Sequence, residues 1–145
     1  MFNNNIKYCR ESLEMTQKEL GYVFGVTEGA ISNWENGNDN IPFRKLVRFC
    51  NLYNFSIDYV LGLKRYNEDY EKLNNIDSKL IGQNIKRLRK ELNLSQKDFS
   101  NQIKYPNTTI CNFESGYRLI NTLCLYTICK TYNISADILI GRKKK

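Results

Sequence analysis

The stretch TEGAISNWENG, residues 27–37, decides the reading of the fold. Thr27 can cap a helix through its hydroxyl, and Gly37 can end one in the left-handed conformation. Between them Ile31 and Trp34 share a face at i and i+3, which marks core. Gly29 in the first turn is unusual, since glycine costs about 1 kcal/mol of helix propensity relative to alanine. Seventy-nine residues later the chain reads PNTTICNFESG (106–116), with Ile110, Asn112, Glu114 and Gly116 in the same columns. The match extends outward without a gap, aligning 6–62 with 85–141 and pairing Ile6/Ile85, Arg10/Arg89, Gln17/Gln96, Cys50/Cys129, Ser56/Ser135, Asp58/Asp137 and Gly62/Gly141. A repeat of this kind fixes the organisation: one domain of about sixty residues, written twice.

Each copy is helical in period. Ile6, Cys9 and Leu13 form one stripe, and Leu20, Val23 and Phe24 a second. Thr16 and Ser95 precede the second helix as caps; Glu19 three residues on completes a capping box, and Asp98 suits the positive helix end. Pro42 suits the first turn of a fourth helix running to about Tyr53, and Ser56 and Ser135 cap a fifth. The predicted architecture is all-α, two tandem five-helix domains over 1–64 and 78–145. Residues 65–77, RYNEDYEKLNNID, read as a polar linker, although Tyr70, Leu73 and Ile76 could pack as a short helix on either domain.

Composition narrows the function. The chain has 145 residues and a net charge of +7, which leaves nucleic acid, an acidic partner or plain solubility open. Residues 80–145 carry twelve basic and four acidic side chains, a net of +8, of which the terminal RKKK supplies +4; residues 1–66 carry eight and seven. No run approaches the roughly 18 apolar residues of a membrane span, and MFNNNIKYCRE lacks the apolar core of a signal peptide. Five cysteines with no CxxC pair and no histidine at all argue against a disulfide framework, a metal site or a cofactor, and for a reducing cytoplasm. The lack of histidine also removes the commonest general base, so no enzyme is expected.

The runs TQKELGYVFGVTEGAISNWENG (16–37) and SQKDFSNQIKYPNTTICNFESG (95–116) resemble the Cro/phage-repressor (XRE-like) helix-turn-helix family. In the first copy Gln17, Leu20, Val26, Thr27, Ile31, Trp34, Glu35, Gly37 and Pro42 carry the likeness. The resemblance implies that the third helix of each copy lies in the DNA major groove, with the N-termini of the second and third helices against phosphates. It also implies that Glu35 and Glu114 pair with Arg10 and Arg89 as structural ion pairs.

The DNA-binding residues so implied are Gln17, Lys18, Thr27, Glu28, Gly29, Ser32, Asn33, Arg44 and Lys45 in copy one. In copy two they are Gln96, Lys97, Asn107, Thr108, Cys111, Asn112 and Arg118. Gln17 and Gln96 can bond phosphate oxygens. Lys18 and Lys97 add sequence-independent charge or form a solvated face. Asn33 and Asn112 can bond adenine N6/N7 or a phosphate, and Glu28 can accept from cytosine N4 while repelling phosphate. Gly29 reads nothing through a side chain. Cys111 stands where Ser32 does, as a small residue or a redox-sensitive one; Cys9, Cys50 and Cys129 fall at core positions.

Copy two departs from the pattern: Pro106 replaces Thr27, which suggests that Asn107 takes over the cap and shifts the helix start by one. Asn121 replaces Pro42, and Leu123 and Cys124 replace Arg44 and Lys45. A thirteen-residue linker extends to roughly 43–47 Å, beyond the roughly 34 Å between adjacent half-sites, so tethered binding to two asymmetric half-sites is expected. The function implied is a sequence-specific transcriptional regulator, a repressor by family habit, binding double-stranded DNA. A homodimer or a protein partner stays open, with no membrane and no small-molecule ligand indicated. Two alternatives stand beside it: an antitoxin or phage-type regulator that also holds a protein, and a degenerate module that binds only protein.

Overall fold

The computed structural model describes residues 3–145. Copy one holds α1 (Ile6–Ser12), α2 (Gln17–Phe24), α3 (Glu28–Asn36), α4 (Phe43–Tyr53) and α5 (Ile57–Val60). Copy two holds α6 (Ser78–Glu91), α7 (Gln96–Ile103), α8 (Asn107–Ser115), α9 (Thr122–Tyr132) and α10 (Ala136–Leu139). Among the described residues the only β pairing is an isolated bridge, Tyr70 to Lys144.

The helix ends follow side-chain chemistry. Thr16 and Glu19 form both bonds of the capping box, and Ser95 accepts from the Asp98 N–H. Gly37 and Gly116 end α3 and α8 at φ 80° and 78°. Ser56 and Ser135 accept from the third N–H of α5 and α10. The start of α8 differs from expectation. Pro106 is the N-cap and Asn107 the first helical residue, in register with Thr27 and Glu28. The helix is not shifted, because the fixed φ of proline (−60°) already suits the cap position.

Copy two has a longer first helix. Residues 78–84 of α6 lie over the C-terminal end of α8, where Ser78 Oγ donates to the Gly116 carbonyl at 3.0 Å. Gly82 permits this approach: a Cβ there would stand 2.6 Å from the Glu114 carbonyl oxygen and closer still to that of Phe113.

The copies do not hang apart on a tether. Buried side chains from both form one cluster, including Phe49, Cys50 and Ile57 from one and Ile128, Cys129 and Leu139 from the other. At its centre α5 meets α10 by a reciprocal exchange. Asp137 accepts from Ile57 N–H (2.8 Å) and Asp58 N–H (3.0 Å), while Asp58 accepts from Ala136 N–H (2.7 Å) and Ser135 Oγ (2.6 Å). Both carboxylates are buried. Arg142, also buried, donates to Asp137 at 2.7 Å and to the Phe55 and Glu71 carbonyls.

Residues 65–77, the linker expected from sequence, form no short helix and lie bonded along both copies. Asn67 Oδ1 accepts from Ser56 N–H while its amide donates to the Asn54 carbonyl, Leu73 exchanges two bonds with the Asn51 side chain, and Glu71 N–H donates to Lys143. Tyr70 is buried beneath the chain end.

Candidate nucleic-acid interface

Both copies build the same frame behind α3 and α8. The Arg10 guanidinium makes a two-pronged contact with Glu35, Nε to Oε2 at 2.6 Å and a second nitrogen to Oε1 at 3.0 Å. Its remaining arm donates to the Met15 carbonyl. Arg89 repeats this on Glu114 at 2.7 and 3.0 Å, with its arm on the Leu94 carbonyl. Fork-on-carboxylate geometry fixes orientation as well as distance, and each arginine is raised above its usual pKa chiefly by its hydrogen bond to that glutamate. The pair locks the first helix of each copy to the third.

A third member was not foreseen. Gln17 Nε2 donates to Glu35 Oε1 at 3.0 Å, and Gln96 Nε2 to Glu114 Oε1 at 3.1 Å. Each glutamine therefore ties the start of the second helix to the same carboxylate. One amide hydrogen is spent on this bond and the second remains chemically able to meet a phosphate. The only sequence signal was that Gln, Glu and Arg recur together.

The inner face of α3 is apolar: Ile31 and Trp34 are buried, and Trp34 meets Phe24 edge-on at 6.3 Å. Ile110 and Phe113 repeat this in α8. Outward lie Glu28, Gly29 and Asn33, exposed, with Ser32 half-buried. On α8 Asn107, Thr108 and Cys111 are exposed and Asn112 is half-buried. Thr27 spends a lone pair on Ala30 N–H, leaving its O–H proton uncommitted by the cap. Asn107 is not a cap; its Oδ1 accepts from Ser100 Oγ at 3.3 Å.

Two helix-turn-helix family models match the chain: one described as "Helix-turn-helix" over residues 6–60, the other as "Helix-turn-helix domain" over 82–144. The chain belongs to the Cro/phage-repressor helix-turn-helix family, in two copies. It is 31% identical over 61 residues to the uncharacterized HTH-type transcriptional regulator YqaE of Bacillus subtilis, covering 42% of this chain and 53% of that protein. To the HTH-type transcriptional regulator ImmR of the same organism it is 29% identical over 62 residues, 43% and 49% of the two chains. To the antitoxin PezA of Streptococcus pneumoniae it is 32% identical over 74 residues, 49% and 47% of the two chains. The chain spans about half the length of these relatives.

Around the helix-turn-helix units the basic residues divide. Lys18, Lys97 and Arg118 are exposed. Arg118 N–H holds the Asn112 carbonyl, and Arg118 lines a surface cleft with Thr109, Asn112, Phe113, Leu119 and Asn121. Its counterpart in copy one is Asp39, whose N–H holds the Asn33 carbonyl in the same way. With Glu28, copy one thus presents two carboxylates where copy two presents Asn107 and Arg118.

Lys45 turns away from solvent: its Nζ donates to the Phe24 carbonyl at 3.2 Å, where a cation complements the C-terminal end of α2. Arg48, which stays exposed, donates to the neighbouring Val23 carbonyl at 3.0 Å. Arg44 is exposed and borders residues 72–76 in a surface cleft.

The terminal RKKK is not a free basic tail. Arg142 is buried on Asp137, Lys144 pairs with Glu68, and Lys145 lies 3.8 Å from Asp69. Two of the copy-two surplus charges, those of Lys144 and Lys145, thus face carboxylates of residues 65–77, while Arg142 is matched within copy two.

Proposed function

We propose that this protein is a sequence-specific DNA-binding transcriptional regulator that seats α3 and α8 in the major groove. The observation that carries the reading is the Arg–Glu–Gln frame, present twice. It holds two third helices rigidly, each with an apolar inner face and a short polar outer one. In this reading Asn33, Asn107, Thr108 and Asn112 meet base edges. Gln17, Lys18, Thr27, Gln96, Lys97 and Arg118 meet phosphates. Glu28, Gly29, Ser32 and Cys111 set the shape and charge of the reading surface, and Lys45 acts by fixing α2.

The functional units are 1–64 and 78–145, joined by 65–77, and the setting is the cytoplasm. Repression follows if the bound chain covers a promoter. No catalysis is assigned. The likeness to PezA supports a second reading, in which the same chain also holds a protein partner.

The test is selection from a random duplex pool over a series of salt concentrations, with the retained DNA sequenced. A shared motif should emerge, and log affinity should fall linearly with log salt. A pool returned unenriched, with affinity indifferent to salt, would overturn the proposal.

A further inference from the structure

The contact between the two copies has a symmetry that bears on how DNA would be read. Asp58 caps Ala136, and Asp137 caps Ile57. Position 137 is the repeat equivalent of 58, and 136 of 57, so each copy offers the other the same residue at the same place. An exchange in which residue i meets j and j meets i is the mark of a two-fold interface; a translated, head-to-tail repeat cannot make it. Here it occurs within one chain. The two copies repeat the same five-helix order, so an operation that exchanges α5 with α10 is expected to carry α3 towards α8 as well.

The interface is closed by groups that do not obey the symmetry. Thr122 Oγ donates to the Ile41 carbonyl at 2.6 Å in a buried contact, where Phe43 stands at the equivalent position of copy one. Arg142 reaches from the chain end to Asp137 and the Phe55 carbonyl, and its equivalent is Leu63. Residues 65–77 are bonded at Asn67, Glu71 and Leu73 to the bodies they connect. The separation of the two reading helices is thus set by packing and not by the reach of a flexible linker.

We infer that a single chain is a built-in pseudo-dimer, which reads two inverted half-sites at one fixed spacing as a monomer. The inference rests on the DNA-binding reading above. Duplex DNA has a two-fold axis of its own, and a two-fold protein matches inverted repeats. The half-sites differ in sequence, since Glu28, Gly29, Ser32 and Asn33 face one and Asn107, Thr108, Cys111 and Asn112 the other. The surface thus fits an imperfect palindrome, with the half read by copy two contributing more.

The test uses the full chain and the half-site sequences recovered by selection. Duplexes carry the two half-sites inverted or directly repeated, with the spacing stepped by single base pairs through one helical turn; bound stoichiometry is read by sedimentation. One chain per duplex is expected, on inverted half-sites at one spacing. A half-turn displacement should lose roughly 10²–10⁴-fold, the gain that a second intramolecular contact provides. Inserting Gly-Ser-Gly-Ser between the exposed Asn74 and Asn75 should leave the preferred spacing unchanged. Asp58→Asn, checked for folding by circular dichroism, should broaden the preference and keep single half-site affinity.

Direct repeats bound as tightly as inverted ones, two chains per duplex, or a spacing preference that broadens with the inserted linker would each overturn the inference alone. A chain that retains no duplex sequence at all removes the DNA-binding reading and the inference together.

Discussion

Replacing Asp137 by alanine should do more damage than replacing its repeat equivalent Asp58, although the two look interchangeable in sequence. Asp137 serves Ile57 N–H, Asp58 N–H and the buried Arg142; Asp58 serves Ala136 N–H and the Ser135 hydroxyl, with no cation of its own among the described contacts. Breaking a buried ion pair by removing one partner costs about 3–5 kcal/mol, because the remaining charge is stranded. Asp58→Ala strands no cation and relieves the repulsion between two carboxylates, so about 1.5–3 kcal/mol is expected from its lost charge-assisted bonds. Against a total of about 5–15 kcal/mol for a natural domain, either loss is easily measured.

Urea unfolding followed by Trp34 fluorescence and by circular dichroism is the assay, because the single tryptophan reports on copy one and the dichroism on both copies. Wild type should show one coincident transition. The double variant Asp137→Asn/Arg142→Met, which removes both charges and keeps an acceptor, should return to within about 2 kcal/mol of wild type. Equal costs for Asp137→Ala and Asp58→Ala, or a cost under about 1 kcal/mol for Asp137→Ala, would refute the dependence of the buried Arg142 on Asp137.

Three further outcomes follow from the same contacts. Burial pushes the Asp137 carboxyl up to about 6, against the lowering influence of the Asp58 and Ile57 N–H groups and Arg142. A carboxyl raised on folding stabilises the fold fully below its unfolded value near 3.8 and loses that contribution as pH rises through about 6. Asp137→Asn should therefore flatten the stability profile between pH 4 and 6, as read by thermal melts, and an unchanged profile would refute this. Gly82→Ala, which drives a Cβ into the Phe113 and Glu114 carbonyls, should cost about 1–3 kcal/mol by urea titration; a neutral result would show that α6 does not sit as described. Asn112→Ala should relax specificity at one or two base pairs and cost about 1–3 kcal/mol of binding, whereas Lys97→Ala should weaken all sequences alike and reduce the salt slope by about one; the reverse pattern would exchange their roles.

Much of the fold was legible because the repeat doubled every local signal. Thr16, Ser56, Ser95 and Ser135 announce helix starts by their own chemistry, and Gly37 and Gly116 announce ends. Ile31 and Trp34 mark the inner face by spacing alone. What could not be read was long-range. Nothing local says that Gln17 turns its amide onto Glu35, that Lys45 caps α2, or that Arg142 leaves a basic tail to neutralise Asp137. Asp58 and Asp137 recur in both copies, yet a first-turn aspartate reads equally well as a dipole-complementing residue of its own helix. Their exchange across the two copies depends on packing between distant parts of the chain. The start of α8 departs from expectation for a local reason: Pro106 lacks a capping hydroxyl, yet its fixed φ supplies the cap geometry by itself.

The most direct measurement is chemical footprinting of the wild-type chain on its selected duplex, with methylation of guanine N7 reporting the major groove and of adenine N3 the minor groove. Two protected patches about one helical turn apart on one face of the duplex are expected, one lost with Asn33→Ala and the other with Asn112→Ala. A single patch, or protection confined to the minor groove, would contradict the claim that both third helices read DNA.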